Sequence, residues 1–285
     1  MVLPQIAPAM AVNRDQIIAL GNRLAPAAAT FGRLRTLLLD PDTALDEILQ
    51  LIRLDPALTF HVVRISNSVL FGLRERTDSL DIAVARVGLS EIFRVVGLAA
   101  VQQVCQSDLR RYRLKAGRLW ENAVATAAAA EVLATRAGRD AGLAYTAGLM
   151  RTIGRVVLDA MPGAECYPGE AEWPSLTDWE QKVFGITSAE VTMMLLDYWR
   201  FPADVVESVQ GHFDPLASER SNIGACVLNL ACGVAARFGL DLPGESGNWI
   251  CTPAKLTLAG VSDADLEDCA TRARAHYVLL CASVV

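Results

Sequence analysis

The chain has 285 residues, a formal net charge of -6 and a sequence pI near 5.2, so it repels phosphate backbones and nucleic acid is not an expected partner. Hydrophobic residues make up 52% of the chain and charged residues 20%, which suits a packed globular core and excludes a long disordered region. The longest apolar runs, residues 95–101 and 277–285, are shorter than the roughly 18 residues of a spanning helix, and the N-terminus lacks a signal-peptide pattern. We therefore expect a cytoplasmic protein with no membrane association.

Helical periodicity recurs along the chain, whereas the strict alternation of a strand is nowhere sustained. Asn13 begins a predicted helix that runs to about residue 24, and Thr30 begins a second. Thr43 and Asp46 resemble a capping box that starts a third helix, and Asp55 caps a fourth. The sequence therefore predicts an all-α fold.

The middle of the chain contains its only dense basic stretch, RRYRLKAGR, residues 110–118. It follows helices predicted to begin at Ser79 and Ser90, and it lies where the apolar pattern lapses. We interpret it as a solvated hinge between two lobes. Beyond it, an Ala-rich helix covers about residues 118–137, and one uninterrupted helix runs from Asp140 to about residue 158. Later helices are predicted to begin at Thr177, Thr187, Ser221 and Ser262.

Two stretches of the sequence resemble the HDOD family. The first is DPALTFHVVRISNSVLFG, residues 55–72, followed by SLDIAVARVGLSEIFRVVGLAAV, residues 79–101. The positions that match the family pattern there are Asp55, Pro56, Leu58, Asn67, Ser68, Phe71, Gly72 and Gly88. The second is LWENAVATAAAAEVLA with AGLMRTIGRVVL, which resembles the paired helices of HD-type phosphohydrolases.

The resemblance implies an all-α, two-lobed domain in which an N-terminal helical bundle packs on an HD-like lobe. The expected divisions are an N-terminal extension helix at 1–24, the N-terminal HDOD lobe at 25–112, a degenerate HD-like lobe at 113–240, and a C-terminal loop and helix at 241–285. The residues of the first motif suit helix starts and turns, because short polar side chains bond to nearby backbone groups. A recognition role for that segment is the alternative.

The resemblance also implies that the metal site of HD phosphohydrolases has been lost. Those enzymes bind a divalent metal through a His, an adjacent His-Asp pair and a later Asp. The corresponding residues of this chain are Asn122, Arg151, Thr152 and Cys232. An amide and a hydroxyl are weak ligands, and the guanidinium repels a cation. We expect no metal, no other cofactor and no catalytic residue, with these four positions forming a degenerate pocket.

Histidines and cysteines offer no replacement site. The chain has three histidines and seven scattered cysteines without a C-x-x-C pair, so we expect neither a disulfide nor a zinc site. His61 is interpreted as a hydrogen-bonded structural residue. His212 falls near where related domains carry histidines and could border the old pocket, but the favoured interpretation is a surface or capping residue.

The favoured function is a non-catalytic protein-interaction module in bacterial-type signal transduction, and not an enzyme. Because HDOD domains often accompany cyclic-di-GMP turnover or receiver domains, a protein partner in such a pathway is expected, with self-association into a homo-oligomer as the alternative. The apolar C-terminal run YVLLCASVV, residues 277–285, could supply a contact face.

Two other functions remain open from the sequence. In the first, Arg151 replaces the charge of the lost metal, and the pocket senses an anion or a nucleotide, because arginine suits bidentate anion binding. In the second, the chain is a residual metal-dependent phosphohydrolase, which the missing ligands argue against.

Overall fold

The structure is a computed structural model that describes residues 12–67, 77–163, 165–173, 175–217 and 222–284. Within these ranges the regular structure is helical and holds no strand, which confirms the predicted all-α fold. The α-helices in chain order are α1 (Arg14–Leu24), α2 (Pro26–Leu39), α3 (Leu45–Arg53), α4 (Pro56–Ser66), α5 (Leu80–Val87), α6 (Leu89–Val104), α7 (Arg118–Arg136), α8 (Ala141–Met150), α9 (Ile153–Ala160), α10 (Leu176–Phe184), α11 (Ser188–Tyr198), α12 (Ala203–Gly211), α13 (Ile223–Arg237), α14 (Pro253–Ala259) and α15 (Asp263–Val284). A 3-10 helix spans Ser246–Trp249.

Most predicted helix starts are confirmed by side-chain caps. The residues whose side chains accept a backbone N–H at a helix start include Asn13, Asp55, Ser79, Asp140, Thr187 and Ser262. Four predictions are wrong. Thr30 lies inside α2, and Ser90 lies inside α6, which begins at Leu89. Ala44 precedes α3 without a side-chain cap, and Ser175 caps α10 where Thr177 was expected. The predicted start at Ser221 lies outside the described residues, and Asn222 caps α13.

The N-terminal lobe is organised around α6. Helices α2, α4 and α5 all pack against it, and Phe31 of α2 stacks on Phe93 of α6 with ring centroids 4.7 Å apart. Gly97 permits this approach, because a Cβ atom there would lie 2.7 Å from the ring of Phe31. Helix α1 contacts α9 and α11 of the HD-like lobe, and one cluster of buried apolar side chains extends through both lobes.

The HD-like lobe is built around α7. Helices α8, α13 and α15 surround it, and its alanine run is buried on all sides. Gly148 brings α8 against α7, because a Cβ atom there would lie 2.6 Å from Cα of Ala127. This close packing places the side chains of α7 next to the C-terminal end of α8.

The basic stretch at 110–118 is solvated only in part, because Arg110, Arg113 and Lys115 are exposed whereas Arg111 is buried. It forms a tight turn closed by an antiparallel bridge between Leu109 and Leu114. Arg111 is buried and its guanidinium donates to the carbonyl oxygens of Met161 and Gly163, while the hydroxyl of Tyr112 donates to Glu180 at 2.9 Å. The prediction is wrong for Arg111, because the charge of this residue is used internally on carbonyl groups.

The C-terminal segment contains more helix than predicted. Helix α14 and the 3-10 helix lie where the sequence indicated only a loop, and α15 packs along α7. We call residues 240–252 the strap, because this segment crosses the end of α7 and reaches the centre of the HD-like lobe. No helix among the described residues is both long enough and apolar enough to cross a bilayer.

Candidate functional site

The four positions of the predicted degenerate pocket are all buried within the HD-like lobe. Asn122 lies on α7, Arg151 and Thr152 lie between α8 and α9, and Cys232 lies on α13. Nη2 of Arg151 donates to Oδ1 of Asn122 at 2.7 Å, and Arg151 and Cys232 interact electrostatically. The structure thus brings Arg151 together with Asn122 and Cys232, while Thr152 makes no side-chain hydrogen bond to the other three within the described part of the chain.

A helix break positions Arg151. The sequence predicted one helix from Asp140 to about residue 158, but α8 ends at Met150 and α9 begins at Ile153. Thr192 of α11 holds the break, because its hydroxyl lies 3.2 Å from the carbonyl oxygen of Arg151 and accepts from Gly154 N at 2.9 Å. The prediction of a continuous helix was wrong because its apolar pattern carries no trace of this tertiary contact.

Glu245 of the strap is the partner of Arg151, and sequence reasoning missed it. Its two carboxylate oxygens accept from Nη1 and Nη2 of Arg151 at 3.0 and 2.9 Å, which is the bidentate geometry of a strong ion pair. Arg155, one turn further along, also donates to Oε1 of Glu245. All three side chains are 1% exposed, so this is a buried Arg-Glu-Arg triad.

Asn122 ties the triad to the strap. Its Oδ1 accepts from Arg151, and its Nδ2 donates to the carbonyl oxygen of Leu240 at 2.6 Å. On the outer side, the exposed Glu170 accepts from Gly244 N at 2.8 Å and from the hydroxyl of Ser246 at 2.9 Å. The strap is therefore held on both sides of Glu245.

His212 lies beside this centre as the C-cap residue of α12, so the capping interpretation is confirmed and the surface interpretation is wrong. It is fully buried, and its Nδ1 lies 2.6 Å from the carbonyl oxygen of Val209. The His212 ring stacks on the Trp249 ring with centroids 5.8 Å apart, and Cζ of Arg151 lies 5.5 Å from the centre of the Trp249 ring. Burial lowers the pKa of His212 to about 3, and the charge of Arg151 adds to this effect.

The protonation states follow from burial and from the two arginines. Burial alone would raise the pKa of Glu245, but the charges of Arg151 and Arg155 outweigh burial and hold that pKa below its ordinary value. Burial raises the pKa of the Cys232 thiol to about 12, although Arg151 lowers it. At neutral pH the site therefore holds two guanidiniums, one carboxylate, a neutral thiol and a neutral imidazole.

These residues do not fit a divalent metal ion. Arg151 brings a fixed positive charge to the position of a ligand, and both oxygens of Glu245 already face guanidinium groups. A protonated Cys232 is a poor ligand, because thiols bind metals as thiolates. Among the described residues there is no group of three or more His, Cys, Asp and Glu side chains suited to a metal.

The N-terminal motif has structural contacts where it is described. Oδ1 of Asp55 accepts from the backbone N–H groups of Ala57 and Leu58. Asn67 donates to the carbonyl oxygen of Thr77 at 2.7 Å and accepts from its N–H at 2.9 Å. Gly88 has φ of +89° and precedes α6. Ser68, Phe71 and Gly72 lie outside the described residues.

His61 does not have the hydrogen-bonded role predicted for it. It lies on α4 and is partly buried, and its Nδ1 has no hydrogen-bond partner among the residues that the structure describes. Burial lowers the pKa of His61, and the nearby charge of Arg64 acts in the same direction. The ring is therefore neutral at pH 7.

The two helical lobes, with a polar centre where α8 gives way to α9, define the class of HD-related all-α domains. Residues 24–215 match the model of the HDOD domain. The chain belongs to the HDOD family, as its motifs predicted.

Solved structures with the same fold are known. An HDOD domain protein with unknown function from Geobacter sulfurreducens is 19% identical with a TM-score of 0.63, over 99% of this chain and 93% of that one. A protein from Marinobacter aquaeolei VT8, named for signal transduction, is 20% identical with a TM-score of 0.65, over 94% of this chain and 65% of that one. At these identities the likeness is one of fold.

A relative by sequence is an uncharacterized protein of Treponema pallidum (strain Nichols). It is 29% identical over 188 residues, which is 61% of this chain. The chain spans about a third of the length of this curated relative, since the match covers 34% of it.

Proposed function

We propose that this HDOD protein is a non-catalytic module of a signalling pathway that acts by contacting a protein partner. The observation that carries the proposal is the buried triad. Where a hydrolase of this fold needs ligands for a cation, this chain places Arg151 and pairs it with Glu245 at 2.9 and 3.0 Å. A site filled by ion-paired side chains of the chain itself maintains a fold and gives no activated water.

The surface supports a role in contact with partners. Val278 and Leu279 of α15 are 57% and 50% exposed, whereas Leu280 beside them is buried. On the N-terminal lobe, Leu54, which caps the end of α3, and Phe60 of α4 are 75% and 63% exposed; we call these two residues the α4 face. Large apolar side chains that remain in water at neighbouring positions are typical of surfaces that bind other proteins.

The absence of catalysis is tested by metal analysis together with a phosphodiesterase assay. Purified protein, loaded with excess Mn²⁺ and then dialysed, is expected to retain far less than one equivalent of metal and to leave a chromogenic phosphodiester intact. Retention near one equivalent together with hydrolysis that Arg151→Met abolishes would refute the proposal.

The contact role is tested on the two exposed apolar sites. Light scattering after size-exclusion chromatography measures self-association. Cross-linking in cells of the source organism captures protein partners, and we expect these to include proteins of a cyclic-di-GMP-linked pathway. Val278→Asp and Phe60→Asp are the probes, and Arg272→Ala, an exposed charge on α15, is the matched control. A specific complex lost with a probe and kept with the control is the expected result. An inert monomer that cross-links to nothing would contradict the proposal.

A further inference from the structure

The two arginines of the triad offer more hydrogen-bond donors than Glu245 can use. Arg151 donates from Nη1 and Nη2, and Arg155 donates from Nη2. Nε of Arg151 and Nη1 of Arg155 are nevertheless buried without a hydrogen-bond partner in the described parts of the chain. Buried donors without acceptors are rare and costly, so they mark a place where further acceptor oxygens would bind.

The charges point in the same direction. The triad carries two positive charges and one negative charge, and Cys232 and His212 are neutral. The next buried carboxyl, Glu180, accepts from Tyr112 and from Ser188 N, and burial raises its pKa above the ordinary value although the charge of Arg155 acts against this. An excess positive charge in a buried site favours the entry of an anion.

A neutral acceptor faces the same centre. Because Nδ1 of His212 lies against a carbonyl oxygen, Nδ1 carries the proton and Nε2 is left with a lone pair. This Nε2 is also buried without a partner in the described structure. It would accept the hydroxyl of a singly protonated oxyanion, which matches a tetrahedral ligand better than a second carboxylate.

We infer that Arg151, Arg155 and Asn122 form an oxyanion site that the chain's own Glu245 occupies as an internal ligand. The external ligand class that fits is a phosphate-type oxyanion, free or as the terminal group of a monoester. Its three or four oxygens would take up the donors that a carboxylate leaves unused. This inference goes beyond the contact role proposed above and does not depend on it.

The strap controls access to this site. Glu245 can leave the arginines only if the strap moves, and Glu170 holds the strap from outside through Gly244 and Ser246. Glu170 is exposed and makes no contact with the arginines, so a change at this residue loosens the closure and leaves the anion-binding donors intact. In the closed form the side chains of Arg151, Arg155 and Glu245 are 1% exposed.

The test measures the thermal unfolding midpoint with inorganic phosphate, against chloride at the same ionic strength, with AMP as a second probe for an esterified phosphate. For Glu245→Ala we expect phosphate to raise the midpoint by ~5 °C or more at saturation, since a ligand that binds only the folded state stabilises it. Phosphate should raise the unfolding midpoint of the wild type least, and that of Glu170→Ala by an intermediate amount. The double variant Glu245→Ala with Arg151→Met is the control for general salt effects.

The result that overturns the inference is an equal shift in Glu245→Ala and in the double variant. If Glu245→Ala does not fold in chloride, recovery of cooperative unfolding on adding phosphate supports the inference, and no recovery rejects it. Glu170→Ala is an independent test of the strap. If phosphate raises the unfolding midpoint of this variant no more than that of the wild type, the strap does not control access to the site. Since these readouts concern anions alone, they leave the contact role untouched.

Discussion

The centre around Arg151 and the α4 face differ in which side chains they expose to water. At the centre, charged groups are withdrawn from water and matched to one another, and Glu245 and both arginines are 1% exposed. At the α4 face, apolar groups remain in water, and Leu54 is 75% exposed. The polar centre is therefore closed to solvent, whereas the apolar side chains of the α4 face are open to it.

Removing one member of the triad should have the largest effect on stability. Glu245→Ala leaves two buried guanidiniums facing a single vacancy, and we expect the free energy of unfolding to fall by about 3–5 kcal/mol. Chemical denaturation monitored by circular dichroism measures this loss. The double variant Arg151→Met with Glu245→Leu replaces both members of the bidentate pair. We therefore expect it to lose less free energy of unfolding than Glu245→Ala.

An exposed ion pair in the same lobe is the matched control. Arg237 bonds to Glu267 at 2.6 Å, but their side chains are 44% and 70% exposed. Arg237→Ala should cost less than about 1 kcal/mol, because exposed pairs are screened by water. If Glu245→Ala proved no more harmful than Arg237→Ala, the buried triad would not be a stabilising element.

Loss of the Asn67 amide should have the next largest effect. This side chain joins α4 to Thr77 through two hydrogen bonds and also donates to Val63 O at 2.9 Å. Asn67→Ala should lower the free energy of unfolding by about 1–3 kcal/mol, since Thr77 keeps unpaired backbone groups. Asn67→Asp retains the acceptor and loses the donors. Its free energy of unfolding should lie between those of the wild type and Asn67→Ala in the same denaturation assay.

Acid should weaken the centre through His212. Its folded pKa of about 3 is depressed below the ordinary value, so between that value and about 6.5 the unfolded state binds the additional proton. Stability due to the neutral ring is present at neutral pH and is lost as pH falls through this window, by up to about 1.4 kcal/mol per pH unit. Denaturation at pH 7.5, 6 and 5 should show a shallower decline for His212→Phe. If the free energy of unfolding declined equally with pH in the wild type and in His212→Phe, His212 would not be the group responsible.

The smallest stability effect should come from the α4 face. Phe60→Ser removes an exposed ring, so the free energy of unfolding should change by no more than about 0.5 kcal/mol. The cross-linking experiment, in contrast, should change if this face binds a partner. A large loss of stability would mean that Phe60 is packed in solution, and it would weaken the contrast with the Arg151 centre.

The fold was predictable because its signals are local. Caps such as Asp55 and Thr187 determine helix starts within three residues of themselves, and the structure confirms them. The predicted unbroken helix from Asp140 is wrong because its break depends on a distant contact. Thr192 lies 41 residues from Arg151 and stabilises the break between α8 and α9, and no local pattern reports such a contact.

The candidate site was half predictable for the same reason. The sequence indicated Asn122, Arg151, Thr152 and Cys232 together, and an arginine inside an apolar helix demands an acidic partner. Arg155, one turn later on the same face, was a second signal. Yet the chain has 32 acidic residues, and nothing in the strap sequence singles out Glu245.

The separation of Arg151 from Glu245 also bears on how the protein is made. The two residues are 94 positions apart, and Glu245 follows the segment 24–215 that matches the HDOD model. At roughly 5–20 residues per second, a ribosome adds Glu245 about 5–20 s after Arg151. During that interval the nascent lobe holds two arginines without their acid. Completion of the HD-like lobe therefore waits for translation to pass residue 245, and a piece cut at the family boundary would lack the group that lets these arginines be buried.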